Sequence, residues 1–85
     1  MKVSEVEDAV FELDEIRIVI RAHRRADIGD FTYARKAAES ASITEWLEQR
    51  IRPIIGELTV SVIAGDGNSP HGRTQLAVVR SSYQA

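Results

Sequence analysis

Two histidines, one glycine-bearing loop and a set of arginines are the residues of this chain with chemistry to offer. His23 and His71 stand far apart in the sequence, and neither belongs to a recognisable set of metal ligands. Both read as solvated loop residues. Ser69 lies two positions from His71 but outside a Gly-x-Ser-x-Gly elbow. A serine and histidine in a loop lack the rigid third group that a catalytic triad needs. Carboxylates are dense in residues 1–15. An exposed acidic segment cannot raise a carboxyl pKa by burial, so general-acid chemistry is not expected there. The chain has no cysteine, which removes thiolate nucleophiles, disulfides and thiolate metal sites. No catalytic residue, metal ligand or cofactor site is assigned on this reading.

What remains is binding chemistry. The run Gly65-Asp66-Gly67-Asn68-Ser69-Pro70-His71-Gly72-Arg73 is rich in turn formers. Asp66, Asn68, His71 and Arg73 offer donors and acceptors of both signs, and they are the expected partner-binding residues. Three glycines could also leave amides free as an anion-binding nest. The run is not a Walker motif, because no Gly-Lys-Ser/Thr ending follows it. A second candidate surface gathers Arg17, Arg21, Arg24, Arg25 and Arg35. On the outward face of a sheet these could meet a partner protein, or neutralise phosphates while Val19 and Tyr33 contact bases.

Eighty-five residues make one small domain with a thin stability margin. The 44% hydrophobic and 28% charged fractions are ordinary for a globular chain. Aromatics are few, so the core must be Ile, Val, Leu and Ala, with no room expected for a cofactor. The net charge of −2 hides a division. Residues 1–15 carry six acidic residues against Lys2 alone, while the remainder has ten basic residues against seven acidic. Apolar runs are far shorter than the roughly 20 residues of a membrane span. Neither a signal peptide nor membrane insertion is expected, and the cysteine-free composition fits a cytoplasmic location.

These residues need elements to position them. Ser42-Ile43-Thr44-Glu45 reads as a capping box, with Ile43, Trp46, Leu47, Ile51 and Ile54 forming one apolar helical stripe over 42–53. Pro53 and Gly56 mark its stop. Residues 16–21 alternate as a strand, Ile16, Ile18 and Ile20 facing one way and Arg17, Val19 and Arg21 the other. Residues 58–64 and 74–82 alternate similarly, so the 65–73 run would be a long hairpin loop. Residues 30–38 are read as a strand, with a helix capped by Asp30 as the alternative. Residues 1–13, the acidic segment, are open between a helix begun by Ser4-x-x-Glu7 and an extension of the first strand.

The expected architecture is α+β: strand, strand, helix, strand, strand, with the helix on one face of a mostly antiparallel sheet. That order resembles the β-grasp architecture of ubiquitin-like modules, in element order only. With no catalytic constellation, and with a Gly-rich loop, an arginine-bearing face and an acidic head on display, the expected function is that of a non-enzymatic adaptor, inhibitor or accessory protein that binds another protein. A small RNA- or DNA-binding domain is the alternative, and an enzyme completed across a dimer interface is a weaker one. Val19 and Ile63 on the outward face would also allow a homodimer through a sheet face or edge strand.

Overall fold

The computed structural model describes residues 1–84. Five elements follow in the order α1 (Val3–Asp14), β1 (Arg17–Ile20), α2, β2 (Val60–Ile63) and α3 (Leu76–Ser82). Helix α2 runs through Ile43–Trp46, a π-helical stretch at Leu47–Ile51, and Arg52–Ile55. The protein is thus a small mixed α/β fold, with three helices and a two-stranded antiparallel sheet.

The start of α2 follows from its residues. Ser42 Oγ accepts from the Glu45 amide at 3.1 Å, and the Glu45 carboxylate accepts from the Ser42 amide at 3.3 Å. The π-helical stretch has a cause in Pro53. Proline lacks an N–H and its ring crowds the carbonyl four residues earlier, that of Gln49. Widening the turn relieves that crowding, and Arg52 N–H bonds back five residues to Leu47 O. The Gln49 carbonyl, with no helical donor at Pro53, accepts from the Tyr33 hydroxyl at 3.4 Å. Gly56 then leaves the helix at φ 61°, where a side chain would be strained.

Strands β1 and β2 pair antiparallel, with Arg17 opposite Ile63 and Ile20 opposite Val60. Ile16, Ile18, Ile20 and Val62 are buried with Val3, Val6 and Val10 of α1, Trp46 and Ile51 of α2, and Leu76 and Val79 of α3. Arg17, Val19 and Arg21 are exposed on the opposite face of β1, as the alternation predicts.

Four expectations require correction. The acidic segment forms the helix α1 over Val3–Asp14, but its N-cap is Lys2, whose amide is held by Glu5 Oε1 at 2.7 Å. Ser4 lies inside the helix, and Glu7 accepts instead from the Ile20 amide of β1 at 2.9 Å. Residues 30–38 form neither strand nor helix. Residues 74–82 are not a strand: α3 occupies 76–82, burying Leu76 at 0% exposure while Val78, expected on the same face, is 59% exposed. The order is therefore helix, strand, helix, strand, helix, and the β-grasp arrangement is not confirmed.

Candidate functional site

The 65–73 loop leaves β2 and returns to α3 under close backbone restraint. Gly65 N–H donates to Ser82 Oγ at 2.8 Å, and a Cβ on Gly65 would collide with the Ser82 carbonyl. Asp66 Oδ1 accepts from the Asn68 amide at 3.0 Å, an Asx turn, and Ala64 N–H closes it onto Asn68 O. Those Asn68 donors hold the Asp66 carboxyl below its ordinary value. Gly67, at φ 84°, makes the tight reversal. Further on, Gly72 O and Thr74 O accept from the first amides of α2, those of Thr44 and Ile43, each at 2.9 Å. A side chain on Gly72 would strike Thr44 Oγ1.

These glycines therefore serve turns and close packing. The amides of Gly65, Gly67, Asn68, Arg73 and Thr74 all have partners within the chain, and the N-terminus of α2 is capped. Little is left of an anion nest. The side chains of Asp66, Asn68, His71 and Arg73, by contrast, are exposed on this fixed backbone. Replacing Gly65 by alanine should cost about 1–3 kcal/mol through overpacking against backbone. A urea midpoint unchanged from the parent would show that the α3 end yields freely.

The two histidines make the same local structure. His71 Nδ1 accepts from Arg73 N–H at 3.1 Å and His71 O from Thr74 N–H at 2.9 Å. His23 Nδ1 likewise accepts from Arg25 N–H at 3.1 Å, and His23 O from Ala26 N–H at 2.9 Å. Among the described residues, no three His, Asp or Glu side chains come together as a metal site.

The arginine set is only partly brought together. Arg17 and Arg21 share the outer face of β1, and Arg24 and Arg25 lie exposed in the turn that follows. Arg35 does not join them. It sits in the irregular 30–38 segment, where its carbonyl accepts from Arg50 at 2.7 Å. The strand register further separates the set from the loop. Arg17 lies at the Ile63 end, beside the loop, whereas Arg21 pairs with Thr59 at the far end. Arg17 also stacks its guanidinium over Phe11 at 4.0 Å, and Phe11 meets Tyr83 edge-on at 5.9 Å.

Tyr83 closes this end of the sheet. The ladder bonds Arg21 N–H directly to Thr59 O at 2.8 Å. At the opposite end, Arg17 N–H donates to the Tyr83 hydroxyl at 2.8 Å, and that hydroxyl donates to Ile63 O. A phenol thus stands where the last ladder bond would be, tying α3 to both strands. Burial raises the Tyr83 pKa above its ordinary value. The fold therefore holds the phenolic proton more tightly than the unfolded chain does. This contribution is present below about pH 10 and is lost as pH rises through the folded-state value. Tyr83→Phe should accordingly show a smaller alkaline loss of stability than the parent in urea melts. Equal losses would remove Tyr83 from that role.

A second polar centre was missed at the level of sequence. Asp14 is 0% exposed and ends α1 on its buried face, in line with Val3, Val6 and Val10. Its carboxylate accepts from Trp46 Nε1 at 2.8 Å, Ala37 N–H at 2.8 Å and Arg50 at 3.2 Å. Arg80 donates to Asp14 O at 2.8 Å and Ala37 O at 2.9 Å. Both carboxylate oxygens are occupied, so this centre organises the 35–37 segment and offers no free base. One signal pointed to it: a tryptophan buried in a helix stripe needs an acceptor for its N–H. No helix among the described residues is long and apolar enough to cross a membrane. Comparison with protein-family models, with curated proteins and with solved structures returns no match, so the site stands on its own geometry.

Proposed function

We propose that the chain is a non-enzymatic, cytoplasmic protein-interaction module that meets its partner through the 65–73 loop, with Arg17 on the adjoining sheet face. One observation carries this reading. The loop backbone is hydrogen-bonded to α2 at one end and α3 at the other, while Asp66, Asn68, His71 and Arg73 project into solvent. A preordered backbone loses little entropy on binding, and arginine is a frequent hot spot at interfaces. Replacing His71 and Arg73 together by alanine should leave the melting temperature within about 1–2 °C. It should weaken partner binding by about 2 kcal/mol or more. The measurement is quantitative capture from nuclease-treated native lysate with parent and variant as bait. Undiminished capture would move the interface off the loop.

A nucleic-acid reading rests on a different observation. Among the described residues, Arg21, Arg24 and Arg25 have no acidic partner. Capture that disappears on nuclease treatment, and that Arg24→Ala with Arg25→Ala abolishes, would favour it over the protein-binding reading.

A further inference from the structure

The flank of α1 turned away from β1 forms a groove with the irregular segment that crosses it. Glu7 and Phe11 of α1 face β1, through the Ile20 amide and the Arg17 guanidinium. Ala9 and Leu13 lie on the other flank, where with Glu12, Phe31 and Tyr33 they line a cavity of about 340 Å³. The floor is apolar and aromatic. Phe31 is nearly buried and Tyr33 is 41% exposed, with ring centroids 5.2 Å apart and planes tilted by 59°.

The α1 side of the groove is acidic. Glu12 lines the groove, and Glu5 and Asp8 are exposed at helical spacing on the preceding turns of α1. Lys2 pairs with Asp27, Lys36 with Glu15 and Arg50 with Asp14, while Arg35 stays exposed. Asp8 and Glu12 have no ion-pair partner among the described residues. Tyr33 already holds one cation, the Arg50 guanidinium, at 4.4 Å from its ring centre.

We propose that this groove docks a basic peptide segment of a partner protein, a lysine or arginine next to an aliphatic residue. The aliphatic side chain lies on Ala9, Leu13 and Phe31, and the cation pairs with the Glu12 carboxylate at the rim. Charge complementarity selects this occupant. The same acidic rim repels nucleic acid and anionic lipid, and no three-carboxylate group offers a metal site among the described residues. The groove lies on a different part of the molecule from the 65–73 loop, so loss of binding at one leaves the other intact.

The test uses two labelled hexapeptides, Lys-Leu-Lys-Lys-Leu-Lys and its glutamate counterpart, titrated with the protein at low salt by fluorescence anisotropy and amide NMR. The basic peptide should bind at least about tenfold more tightly than the acidic one, and shift the amides of Ala9, Glu12, Leu13 and Tyr33. Ala9→Gln, which fills the groove, and Glu12→Gln, on the exposed rim, should each weaken it by about fivefold or more with unchanged melting. Glu57→Gln, an exposed carboxylate outside the groove, should leave the affinity unchanged. Equal weakening by Glu57→Gln would reduce the effect to net charge and overturn the proposal. So would a shift map centred on the 65–73 loop, or binding unaffected by both groove variants. Self-association of the free protein through this groove, abolished by Glu12→Gln, would replace the basic partner by a second copy.

Discussion

Trp46→Ala leaves the protein largely unfolded at room temperature. The indole is 1% exposed and stands at the centre of the α2 stripe. Truncating such a side chain costs about 3–5 kcal/mol in lost burial and residual cavity. Here the loss extends beyond packing, because Trp46 Nε1 donates to the buried Asp14 carboxylate at 2.8 Å. Removing that donor leaves part of a buried charge unsatisfied, which adds about 1–3 kcal/mol. A small domain commonly has about 5–10 kcal/mol in total. Far-ultraviolet circular dichroism with a thermal melt reads the outcome. Trp46→Phe separates the contributions, since it keeps an aromatic ring while deleting the N–H. A cooperative Trp46→Ala melt close to that of the parent would take Trp46 out of the core.

Asp14→Ala should be nearly as damaging, by a different route. The carboxylate gathers three donors from two parts of the chain: Trp46 and Arg50 of α2, and the Ala37 amide. Without it, the half-buried Arg50 guanidinium keeps its positive charge and loses its counter-charge. Breaking a buried pair from one side costs about 3–5 kcal/mol. The 35–37 segment also loses one of its ties, so it should open before the rest of the fold does. Limited proteolysis should therefore cut Asp14→Ala first at Arg35 or Lys36, at a protease level that spares the parent. A double-mutant cycle with Arg50→Ala tests the pairing directly, because the two substitutions should be clearly non-additive. Additive effects, or an uncut 33–38 segment, would mean that Asp14 packs without organising its neighbours.

The outcome for each element can be traced to how far its causes lie along the chain. The start of α2 was legible because its capping box spans only four residues and its stripe repeats every three to four. β1 was legible because strict alternation over 16–21 admits one periodicity. In 76–82 the residues Leu-Ala-Val-Val suit either period, and turn formers before them suggested a hairpin. What decides for a helix is that Leu76 and Val79, three apart, both reach the core, while Gln75 bridges to Ser42 at the head of α2. Residues 30–38 carry aromatic and alanine signals that suit strand or helix, and they adopt neither. Their backbone is held by Asp14, Arg50 and Arg80, whose hydrogen bonds span 15 to 43 residues of sequence. Local propensity amounts to a few tenths of a kcal/mol per residue, whereas a charge-assisted hydrogen bond contributes about 1.5–3 kcal/mol. The same division holds for the candidate surfaces. Sequence alone placed Asp66, Asn68, His71 and Arg73 on an exposed loop and Arg17 and Arg21 on one strand face. Tertiary structure alone moved Arg35 off that face and set the groove beside Glu12, because both depend on where a segment without regular structure crosses α1.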